Sequence, residues 1–184
     1  LQNYVVNATL RVESKTTEPY SSSFAAVYAR VTRPYSGWCP APSGYRFQLD
    51  AAGGWALLVA AKGVPSAPAA PETPNAQTSA QNVERSSAPQ YTALASGSVP
   101  GYAPGGLAWY NLSLAVNGGS IAASINNKEV ASVLDASFDS GSAGVGSGFH
   151  YAAFDAVSIE PLKPTPAEIV TAGSRLAAYC GFTN

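Results

Sequence analysis

What most limits the fold of this 184-residue chain is an apolar–polar alternation of period two, broken repeatedly by glycine and asparagine. The opening "YVVNATLRVES" alternates and is rich in β-branched residues, as a half-buried strand requires. "SSFAAVYARVT", from Ser22 to Thr32, repeats the pattern. In "YRFQLDA" the alternation puts Tyr45, Phe47 and Leu49 on one face and Arg46, Gln48 and Asp50 on the other. "GGWALLVAAKG" follows across a Gly-Gly turn, so residues 44–62 read as a hairpin. After "YTALASG", the run "WYNLSLAV", "NGG", "SIAASI", "NNK", "EVASVLD" spells strand, turn, strand, turn, strand. Glycines dominate "SGSAGVGSG", and "AAFDAVSIE" reads as a closing strand. Many short strands with turns about every 8 to 12 residues predict an all-β, antiparallel sandwich of jelly-roll type.

Two segments depart from this pattern. Residues 64–90 carry five prolines among Ala, Ser, Thr and Gln, too few large apolar groups for a core. They read as an insertion suited to O-glycosylation, within one domain spanning residues 1–161. The tail, residues 162–184, changes period. Thr165, Pro166 and Glu168 form a capping box with proline at the first helical position. Ile169, Ala172, Leu176 and Tyr179 then recur at helical spacing, and Gly181 supplies a stop. The expectation is a short C-terminal amphipathic helix, packed on a sheet or on another protein chain.

Charged residues make up 11% of the chain, against about a quarter in ordinary domains. Ten Lys and Arg balance eleven Asp and Glu, which argues against a nucleic-acid or anionic-membrane partner. No apolar run approaches the roughly 20 residues of a transmembrane helix. Opening at Leu1 inside a strand pattern, the chain reads as a mature product or an excised piece of a precursor. "NAT" at Asn7 and "NLS" at Asn111 fit the N-glycosylation acceptor pattern. Cys39 and Cys180 are too few for a zinc site and lack redox C-x-x-C spacing. If paired, they tie the tail to the domain with about 2–5 kcal/mol. These features predict a secreted chain, or one in the lumen of the secretory and lysosomal-vacuolar pathway.

The one histidine, His150, stands five positions before Asp155. On a strand, residues five apart point to opposite faces, so the two do not form an acid–base dyad without a bulge. Sugar binding relies on exposed rings beside amides and charged groups. "RPYSGW", with Arg33, Tyr35 and Trp38, is the richest such loop, and His150 and Tyr151 join it if both loops share an edge of the sandwich. Trp55 and Trp109 lie inside strand patterns and are expected in the core. Asp135 and Asp139, flanking "ASF", are explained by turn chemistry.

The stretch "WYNLSLAVNGGSIAASINNKEVASVLDASFDSGSAGVGSGFHYAAFDAVSIEP" resembles the end of the lectin-like β-sandwich that closes galactosylceramidase, a lysosomal glycoside hydrolase. "NATLRV", "FAAVYARV" and "GYRFQL" resemble that domain's start, so the resemblance spans residues 1–161 around the Pro/Ala-rich insertion. In that family the catalytic carboxylates lie on a separate (β/α)₈ barrel, for which this chain lacks the strand–helix alternation. The resemblance therefore implies a non-catalytic sandwich that binds carbohydrate or glycolipid, or supports a glycosidase. It also implies calcium held by the aspartate of the terminal Phe-Asp motif, here Asp155, together with residues before the first strand. There Asn3 supplies one oxygen, and the family's front aspartate is missing. A second class fits the low charge, the Pro-rich loop and the tail helix: a structural subunit of an extracellular or membrane-associated assembly.

Overall fold

The computed structural model describes residues 1–13, 24–32, 43–60, 91–103, 108–148 and 152–162. Alternation becomes ten strands: β1 (Tyr4–Val12), β2 (Phe24–Val31), β3 (Tyr45–Asp50), β4 (Gly54–Ala60), β5 (Tyr91–Ser98), β6 (Tyr110–Asn117), β7 (Ser120–Ile125), β8 (Lys128–Leu134), β9 (Ser142–Ser147) and β10 (Ala152–Pro161). They form two five-stranded antiparallel sheets. One has the order β10-β1-β6-β7-β8; the other has the order β5-β4-β3-β2-β9. The expected all-β sandwich is therefore what forms. The expected tail helix and the 64–90 insertion lie outside the described residues, as do Cys39 and Cys180.

β1, β3, β6 and β7 each bury one face, and β2 is buried on both. In β1, Tyr4, Val6, Ala8, Leu10 and Val12 point inward, while Val5, Asn7, Thr9 and Arg11 face out. They meet Ala25, Val27 and Ala29 of β2, Tyr45, Phe47 and Leu49 of β3, and Leu112, Leu114 and Val116 of β6 in one core. Phe154 of β10 packs against that core, as does Trp55, edge-to-face with Phe47 at 6.2 Å. Trp109 departs from expectation. It lies just before β6, is 44% exposed, and carries the Arg11 guanidinium 5.1 Å above its ring. An amphipathic ring beside a cation is stable at the surface, so the strand pattern alone did not decide its place.

The turns follow their sequences. Gly118 has φ 55° in the two-residue β6–β7 turn, and Asn126 and Asn127, at φ 50° and 64°, make the β7–β8 turn. Positive φ at both central positions matches the right-handed twist of the flanking strands. The Asn126 side chain also accepts a bond from the Asn111 amide, fixing this turn to β6. "SAGVGS", dominated by glycine, is nevertheless strand β9, paired with β2 from Ala25↔Ser147 to Val31↔Ser142.

Two polar latches join the sheets. Tyr45 Oη, on a fully buried residue, donates to Asp135 Oδ1 at 2.6 Å and accepts from the Phe138 amide at 3.3 Å. Arg30, 1% exposed, sits at φ 52° where the β2–β9 register shifts. Its guanidinium donates to the carbonyls of Gln2, Gly118 and Phe138. Buried charge is tolerated only when its donors are satisfied, and three carbonyls do that here.

Candidate functional site

The calcium site that the sequence suggested is not assembled in the expected form. Asp155 pairs with Thr9, whereas Asn3 lies beyond the other end of β1 and accepts from the Leu162 amide. Six residues of strand separate them, roughly 20 Å at the usual rise. The side-chain oxygens are also engaged elsewhere: Asn3 Oδ1 accepts from the Gly118 amide, and Asp155 Oδ1 from the Ala156 amide. The two residues therefore do not make one calcium site. Asp155 instead caps a bulge, where Ala156 takes φ 49° and the β1–β10 register slips. Among the described residues no group of three or more His, Cys, Asp or Glu gathers around a common point.

Arg33, Tyr35, Trp38, His150 and Tyr151 lie outside the described residues. The segments flanking them are described. Thr32 and Ser43 bracket the first group at the β2 C-terminal end, and Gly148 bonds Phe24 at the β2 N-terminal end. These anchors stand at opposite ends of β2, roughly 25 Å apart by strand rise. The two acceptor asparagines face outward on the β1-containing sheet. Asn7 bonds Ser113, Ser158 and Glu160, and Asn111 pairs with Thr9.

The chemistry-bearing surface is the outer face of the other sheet. In β3, the polar half of the alternation presents Arg46 and Gln48 outward. Register places Tyr28 of β2 beside Arg46, and Ala26 beside Gln48. On the far side Leu58 and Ala56 of β4 lie beside the same pair, and Tyr91 of β5 is opposite Ala60. The small side chains of Ala26 and Ala56, with Gly144 and Gly146 of β9, keep the floor low. Tyr28 lies across Gly146, so close that an added Cβ there would stand 3.1 Å from its ring.

Arg46 lies between two rings. Its guanidinium carbon is 3.9 Å from the Tyr91 centroid and 4.6 Å from that of Phe24. Two polar atoms on this face are buried without a hydrogen-bond partner, Arg46 Nε and Gln48 Oε1. An orphaned buried donor or acceptor costs about 1–3 kcal/mol. The outer face of the other sheet leaves Arg11 Nε and Asn117 Oδ1 open likewise, and what sets this face apart is the pair of rings flanking Arg46. Burial raises the Tyr28 hydroxyl above its ordinary pKa, with Arg46 pulling the other way. Burial likewise pushes Tyr91 up to about 12, against the pull of Arg46 and reinforced by Tyr28. Both phenols are therefore neutral at physiological pH.

Sequence reasoning placed Arg46 and Gln48 on one face of β3 but assigned them no role. Phe24 and Tyr28, four apart in a strand, were a legible signal of two rings on one side. That Tyr91 joins them across the 61–90 segment depended on register, which the alternation does not contain.

A β-sandwich whose first and last strands pair, with a polar–aromatic patch on one sheet, is a lectin-like sandwich of jelly-roll type. The carbohydrate-binding module CBM66 from Bacillus subtilis is similar in fold, with a TM-score of 0.59 at 13% identity, covering 87% of this chain and 76% of that one. Sheep galectin-11 aligns at 0.49 and 12% identity, over 86% of this chain and 90% of its own. The alginate lyase AlyC3 aligns at 0.45 and 12%, over 88% and 65%. At these identities the likeness is one of fold. No protein-family model and no curated protein matches the chain.

Proposed function

We propose that this chain is a carbohydrate-binding sandwich with no chemistry of its own, and that Tyr28, Arg46, Gln48 and Tyr91 contact the ligand. The observation that carries the reading is the pair of buried, unpartnered polar atoms, Arg46 Nε and Gln48 Oε1, on a sheet face set with aromatic rings. A saccharide supplies what that face lacks: hydroxyls that both donate and accept, and an apolar ring face for stacking. The carboxylates of Asp50, Asp135 and Asp155 accept from nearby backbone amides, which supports binding over catalysis. The motifs resembling the galactosylceramidase sandwich support the further reading that the chain works beside a glycosidase in the secretory or lysosomal-vacuolar lumen. The N-glycan acceptors at Asn7 and Asn111 belong to the same reading.

A glycan array including galactosides, followed by calorimetry in calcium and in EDTA, tests it. A bound saccharide is expected, with Gln48→Leu weakening it about tenfold, the equivalent of one lost hydrogen bond near 1.4 kcal/mol. Silence across the array from folded protein sinks the reading.

A further inference from the structure

Among the described residues the charge on this face is unbalanced. Among the described residues the one ion pair is Arg11 with Glu13, on the other sheet, so Arg46 has no carboxylate within ion-pair distance. Asp50, the acid on the same face of β3, lies four residues along the strand, roughly 13 Å away by strand rise. Its Oδ1 accepts from the amides of Ala52 and Gly54. The rings on either side of Arg46 orient the guanidinium without neutralising it, because a ring quadrupole offers a fraction of an ion's field. The phenols of Tyr28 and Tyr91, raised by burial, do not ionise to balance the charge near neutral pH.

We infer that the sugar bound on this face carries an anionic group, a carboxylate or a sulfate, which seats on Arg46 beside the Tyr28 phenol. This deepens the carbohydrate-binding reading and rests on it. A guanidinium recognises such groups through strong charge-assisted hydrogen bonds. Gln48 stands two residues on from Arg46, roughly 6.7 Å by strand rise and about the breadth of a sugar ring with its substituent. One residue of an acidic glycan thus reaches both: its anion to Arg46 and a ring hydroxyl donating to Gln48 Oε1.

Calorimetry with three probes at low and physiological salt tests this: trigalacturonate, 6-sulfated galactose and neutral galactotriose. An acidic probe is expected to bind at least tenfold more tightly than the neutral one, with affinity falling as salt rises. The two acidic probes tell carboxylate from sulfate. Arg46→Gln is expected to erase that preference, and Arg46→Lys to retain part of it, each checked for folding by circular dichroism. Equal binding of neutral and acidic probes overturns the inference and leaves the carbohydrate-binding reading standing. No binding of any probe to folded protein overturns both.

Discussion

A single phenol, Tyr45, ties the stability of the sandwich to pH at both extremes. Burial, and then the bond to Asp135, push Tyr45 up to about 12. Its stabilising contribution is therefore complete below the unfolded value near 10 and is lost as pH rises through about 12. Burial alone would raise Asp135, but the bonds from Tyr45 and Ser137 outweigh it and hold the carboxyl below its usual range. That contribution is present above the unfolded value and is lost as pH falls through the lower folded one. Tyr45→Phe should cost about 1–2 kcal/mol at neutral pH, and should flatten the alkaline decline in urea unfolding between about pH 10 and 12. An unchanged alkaline limb would assign that decline to other buried tyrosines, Tyr91 first among them. The role of Asp135 in this latch was invisible in the sequence, where turn chemistry accounted for it. Arg30 was hidden for the opposite reason. A cation in "YARVT" reads as an outward residue, and only the three-dimensional meeting of the Gln2, Gly118 and Phe138 carbonyls makes its burial tolerable.

At the scale of the element, the hairpins were the most legible part, because each turn's chemistry is local. The Asn126-Asn127 turn holds two side chains at positive φ, and the first accepts from the Asn111 amide. Asn127→Gly should therefore raise the unfolding free energy by about 0.5–1 kcal/mol, read as a higher thermal midpoint, since glycine takes this conformation without strain. Asn126→Gly loses the side-chain bond and should gain less or fall below the parent. A destabilised Asn127→Gly would mean that its side chain has a role outside the turn. Alternation put Tyr45, Phe47 and Leu49 of β3 on the buried face correctly, and the alternation of β1 and β6 appears in their burial. It failed for β9, because a strand built on Gly144 and Gly146 owes its place to pairing with β2 rather than to its own side chains. It failed too for the bulge at Ala156, which offsets Asp155 from the plain count of two.

At the scale of the whole molecule, the class of fold was legible and the ligand face was not. The sequence directs attention to Arg33, Tyr35 and Trp38, where aromatics crowd together in one line of text. The patch of Phe24, Tyr28, Arg46, Gln48 and Tyr91 is assembled from three strands spread over 68 residues. No spacing rule links such residues before the sheet order is known. The same order yields a prediction. Ala60 and Tyr91 are direct partners on one rung, so residues 61–90 leave and re-enter the sheet at a single point. Replacing them with Asn-Gly should leave the circular dichroism spectrum unchanged. It should also raise stability by roughly 1–2 kcal/mol, from the smaller closure entropy of a short loop. A loss of cooperative unfolding would show that the insertion is part of the core after all.

The pairing of β1 with β6 on one side and β10 on the other also sets a timetable for synthesis. β1 is made about a hundred residues before its neighbour β6 and some forty more before its neighbour β10. During that interval the alternating face of Val6, Ala8 and Leu10 is an open edge with a ready apolar side. In a nascent chain of this design that face stays open to wrong pairing until β6 and β10 have both been made.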